Sequence, residues 1–79
     1  MKVNVYNIAG IRKKYRIKQF LIEQAPTFCW CTGEDLFLMM GVEHENVQQH
    51  CFELVLSKMK ADGYFQLKVV EGRIYYLRK

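Results

Sequence analysis

The chain has 79 residues and a mass of 9.4 kDa, room for one domain around one small core. At 51% hydrophobic and 25% charged, with a single Pro, it is too apolar for a disordered chain, and its longest apolar run, Leu36 to Met40, is far short of the roughly 20 residues that cross a bilayer. A net charge of +4 invites an anionic partner without specifying one, and so small a domain has little space for a buried catalytic pocket, so binding is expected and catalysis is not.

Residues 1–8 alternate weakly, with Met1, Val3 and Val5 on one side, which predicts a short strand or ordered arm whose residues Met1 to Val5 could pair between two copies. The start of the chain carries no apolar h-region, which makes the cytoplasm the default compartment. From about Ile8 to Gln24 the spacing turns helical, with Ile11, Tyr15, Phe20 and Ile22 near one side. Pro26 stops this helix, because it cannot donate to the ladder and pushes Ala25 out of the α region. Thr27 to Cys31 reads as a brief extended connector or strand.

Thr32 is placed to cap a second helix, with Glu34 and Asp35 at its positive end, and Gly41 is expected to end it in the left-handed conformation after about two turns. A third helix is predicted to start within Val42 to Asn46 and to run to about Ala61 before Asp62-Gly63. Its apolar arc collects Val47, Cys51, Phe52, Leu54, Val55, Leu56 and Met59, and its polar half collects Asn46, Gln49, His50, Glu53, Ser57 and Lys60. Residues 64–78 form two β-rich runs around Glu71-Gly72, a β-hairpin with Phe65, Leu67 and Val69 on one face.

The order helix, short strand, short helix, tight turn, long helix, hairpin resembles the winged helix-turn-helix superfamily of DNA-binding domains over about residues 11–78. The most specific stretch is Leu36 to Val47, where Gly41, Val42 and Val47 take the places of the turn Gly and its two apolar anchors. Phe37 stands where the family usually has a small residue, which predicts a splayed or turned helix pair.

The resemblance implies an α+β winged-helix fold in a single domain of residues 1–79, double-stranded DNA as partner, and transcriptional regulation in a bacterium or phage. It makes the third helix the recognition helix, with His44, Glu45, Asn46, Gln49 and His50 facing base edges. Phosphates would meet Arg12, Lys13, Lys14 and Arg16 of the first helix and Lys68 and Arg73 of the hairpin. The competing reading is a winged-helix protein-interaction module that touches no DNA.

Charge is segregated along the chain. Residues 1–18 carry six cations and no acid; residues 19–62 carry two cations against seven acids; residues 63–79 carry four cations against one acid. The acidic middle includes the recognition helix, where Glu43, Glu45 and Glu53 repel phosphate.

Three cysteines without an export signal are expected as reduced thiols, and Cys29-x-Cys31 with no second pair is a weak metal motif, so no metal or cofactor is expected. No nucleophile, base and orienting group form a set, and Trp30 and Tyr15 are expected in the core.

Overall fold

The structure is a computed structural model that describes residues 5–44 and 47–79; the side chains of residues 5–11 and of Glu43 lie outside the description. Helix α1 spans Val5–Gln24, β1 Cys31–Thr32, α2 Gly33–Glu43, α3 Gln49–Ala61, β2 Phe65–Val70 and β3 Arg73–Arg78. The fold is α+β, three helices and one antiparallel sheet in the order β1-β3-β2.

Helix α1 buries Ile17, Phe20 and Leu21, a spacing of three and four residues that keeps one stripe inward, and Ala25 just past its end is buried too. Val5 to Ile8, expected in an arm or strand, form its first turns, since no Pro interrupts the chain before Pro26; the rest of the proposed arm, residues 1–4, lies outside the described residues. At the other end Arg78 closes the helix. Its Nε donates to the Ala25 carbonyl at 2.7 Å and its Nη2 to the Glu23 carbonyl at 3.3 Å, while its backbone N–H bonds the Pro26 carbonyl at 3.0 Å. A cation on the last carbonyls of a helix satisfies orphan acceptors and opposes the negative end of the dipole.

Helix α2 begins with a full capping box: the Asp35 N–H donates to Thr32 Oγ1, and the Thr32 N–H donates to Asp35 Oδ2, both at 3.1 Å. Its end differs from the sequence expectation. Gly41 does not terminate it; the helix runs through to Glu43, and the His44 N–H still bonds Met40 O at 2.9 Å across the glycine. The ladder holds because burial of Leu36 and Met40 anchors one face of the helix, while Gly41 lies on the exposed side, where it costs only its lower helix propensity.

The same shift delays α3. Val42 and Glu43 belong to α2, Gln48 is extended (φ −76°, ψ 134°), and α3 starts at Gln49 rather than within residues 42–46. Phe52, Val55, Leu56 and Met59 are buried, whereas Leu54 is half exposed: the inward stripe is narrower than the predicted arc and packs against α1 and α2. The helix ends in a Schellman motif, with Tyr64 N–H on Met59 O (3.1 Å), Gly63 N–H on Lys60 O (3.2 Å), and Gly63 at φ +85°.

The hairpin turns on Glu71 (φ 50°) and Gly72 (φ 78°), the paired left-handed residues that match the twist of a two-residue turn. Phe65 and Tyr76 pack edge to face (5.5 Å) at the base of the sheet and are buried. Beyond them the strands leave the core, and Leu67, Val69, Val70 and Ile74 are exposed.

Tyr15 is a correction: expected in the core, it is 62% exposed and accepts a hydrogen bond from Gln19 Nε2 (2.8 Å). Two residues before buried Ile17, it sits about 200° round the helix. Trp30, also expected in the core, is only half-buried.

Candidate nucleic-acid interface

The two flanks of α3 carry opposite chemistry. On the side facing α1, Lys14 and Lys18, one helical turn apart, meet Lys58 across an open groove of about 180 Å³ floored by Val55 and Met59. Lys18 Nζ also lies 5.5 Å from the centre of the Tyr64 ring. On the side facing α2, a larger groove of about 420 Å³ is lined by Gln49, Glu53 and Ser57 of α3 and by Gly33, Glu34 and Phe37 of α2. At the α2 wall of that groove Gly33 abuts α3: an added Cβ there would meet Leu56 Cδ2 at 3.1 Å. Phe37 packs edge-on against Phe52 at 5.3 Å, joining the two helices through aromatic contact.

The first described side chains of α1 are all exposed, and all but Tyr15 are cationic. Arg12, Lys13, Lys14 and Arg16 are all exposed. They do not form one patch, however. Arg16 lines a different groove of about 210 Å³, together with Tyr15, Phe20 and His44.

The base-reading set is divided. Gln49 and His50 are exposed on the first turn of α3, where Gln49 Nε2 donates to Glu53 Oε1 at 3.3 Å. His44 is not on this helix: it caps the end of α2, and its ring stands edge-on to Phe20 of α1 at 6.4 Å. Glu45 and Asn46 lie outside the described residues.

The hairpin cations differ in their surroundings. Lys68 Nζ lies 4.7 Å from the Trp30 ring centre and 5.7 Å from that of Tyr75, its cross-strand neighbour. Arg73 lines a shallow groove with Thr32, Glu34 and Ile74, so a carboxylate shares its surroundings. Sequence reasoning named neither Lys18 nor Lys58 as a site residue. The four-residue step from Lys14 to Lys18 was legible as one helix face; the approach of Lys58 depends on how α3 crosses α1.

Cys29 and Cys31 come together, with Sγ atoms 3.9 Å apart. Burial, followed by the neighbouring Cys29, pushes the Cys31 thiol up from 9.0 to about 11, so Cys31 is protonated and a poor nucleophile at neutral pH. Burial likewise raises the Tyr76 phenol. Among the described residues no three His, Cys, Asp or Glu side chains gather as metal ligands, and no helix is long and apolar enough to cross a membrane.

No family model, curated protein or solved structure matches this chain.

Proposed function

We propose that this chain is a winged-helix protein that binds double-stranded DNA as a transcriptional regulator, with α3 in the major groove and cations of α1 on the phosphates. One observation carries the reading: Lys14, Lys18 and Lys58 line a single groove beside α3, Arg12 and Lys13 are exposed on the preceding turn of α1, and α1 has no acid before Glu23. The helix order and the β1-β3-β2 sheet agree with the winged-helix resemblance. In this geometry Gln49 and His50 stand at the end of α3 that would enter the groove, and Gln49 has the amide that pairs bidentately with adenine.

A second reading is favoured by a separate observation. The outer half of the hairpin exposes Leu67, Val69 and Ile74 on one face, an apolar surface suited to protein contact and not to phosphate. In that reading the domain is an interaction module.

Duplex binding as a function of salt decides between them. About five phosphate contacts give a slope of log K on log salt of about −4 to −5. Replacing Arg12, Lys13 and Lys14 together by Ala should flatten that slope by about 2.7 and weaken binding to all sequences alike. Gln49→Ala should relax sequence preference at one position by about 1–3 kcal/mol. Absence of saturable duplex binding at low salt overturns the DNA reading and leaves the interaction module.

A further inference from the structure

We infer that the α1–α3 groove of one copy receives the exposed face of α2 from a second copy, a head-to-tail contact between two different surfaces of this chain.

The receiving surface is basic and apolar together. Lys14, Lys18 and Lys58 rim a floor made by Val55 and Met59, with Tyr15 beside it and Asp62 as the one acid of the lining. At about 180 Å³ the groove is below the range of small-molecule pockets, roughly 300–1,000 Å³, and suits inserted side chains better than a free ligand. Its chemistry asks for apolar side chains with carboxylates beside them.

Helix α2 carries that combination on its outer side. Asp35, Leu38, Met39 and Val42 fall at spacings of three and four residues, one stripe of the helix, and all four are exposed. Leu38 is 63% and Val42 86% accessible, and nothing within the described chain covers them. Glu34 and Asp35 stand at the start of the same helix, so the stripe is acidic at one end and apolar along its length. Continuation of α2 through Gly41 is what aligns Val42 with Leu38; a helix ending at Gly41 would break the stripe. The stripe and the groove are complementary in charge and in apolar character, and both belong to the same chain, so each copy is donor and acceptor at once.

The test is sedimentation of the protein alone at concentrations up to about 1 mM. The contact and the phosphates of the proposed DNA reading claim the same Lys14, Lys18 and Lys58, so one groove serves only one of them at a time. The contact is read without nucleic acid, so its failure leaves the DNA-binding reading standing, and the failure of that reading leaves the contact standing. The unchanged chain is expected to gain weight-average mass with concentration at about 0.1 M salt, where charges act over ~10 Å, and to lose part of that gain at about 1 M, where the reach falls to ~3 Å.

Two double variants then separate the surfaces. Lys18→Glu with Lys58→Glu spoils the groove and spares α2; Leu38→Lys with Val42→Lys spoils α2 and spares the groove. All four positions are exposed, and unchanged circular dichroism verifies that both proteins fold. Each variant alone should remain monomeric. An equimolar mixture should yield a 1:1 species of twice the monomer mass, because one protein supplies the intact helix and the other the intact groove. The inference is overturned by an unchanged chain that stays monomeric throughout, by either variant associating as the unchanged chain does, or by a mixture that remains monomeric.

Discussion

The two basic ends of the chain behave differently once folded. In α1, Arg12, Lys13, Lys14 and Arg16 all project to solvent, since the buried positions among the described side chains begin only at Ile17. In the hairpin, Arg78 is engaged on the Ala25 and Glu23 carbonyls and Lys68 lies over Trp30 and Tyr75, which leaves Arg73 and Lys79 as its less occupied cations. Both ends carry a net positive charge, but its availability differs. A guanidinium that closes a helix end cannot leave it for a phosphate without exposing orphan carbonyls, so the hairpin contributes support where α1 contributes reach.

Substitutions can break this contrast. Arg78→Ala should cost about 1.5 kcal/mol in urea unfolding, through lost charge-assisted bonds to two carbonyls at the end of α1. An Arg78→Ala protein as stable as the unchanged chain would mean that both ends are equally free. The acidic middle responds in the opposite sense. Gly41 is helical, exposed and has open space around its missing Cβ, so Gly41→Ala should stabilise by up to about 1 kcal/mol. A destabilised Gly41→Ala protein would return the glycine to a left-handed turn and dissolve the stripe that joins Leu38 to Val42. Smallest is the comparison of Lys68→Ala with Arg12→Ala. Loss of the aromatic contacts should cost about 0.5–1 kcal/mol in the first case, against less than about 0.5 kcal/mol in the second.

Much of the fold was legible from local rules. Pro26, the Thr32–Asp35 cap, Gly63 after α3 and the Glu71-Gly72 turn all act within four residues of themselves, and each appears where sequence logic places it. Gly41 was misread by the same logic, because a glycine is compatible with a helix end and with a helix interior, and the buried stripe around it settles which. The candidate site was less legible. Gln49 and His50 do stand exposed at the start of α3, but His44 caps α2 and faces Phe20 of α1, because α2 runs three residues beyond Met40.

Tyr15 shows the limit in one residue. Its apolar surroundings in sequence suggested burial, yet the orientation of α1 is set by Ile17, Phe20 and Leu21, which together turn Tyr15 outward. Helical phase is decided by the strongest inward stripe, and weaker apolar positions follow it.

By itself the sequence determined the elements, their order, most of their ends and the segregation of charge along the chain, because these depend on interactions between near neighbours. Only the tertiary structure decided which cations remain free, since that turns on contacts such as Arg78 with Ala25, 53 residues apart. The pairing of Lys58 with Lys14 and Lys18 across one groove is of the same kind: it exists because the packing of α3 on α1 brings distant residues together, and no local spacing encodes it.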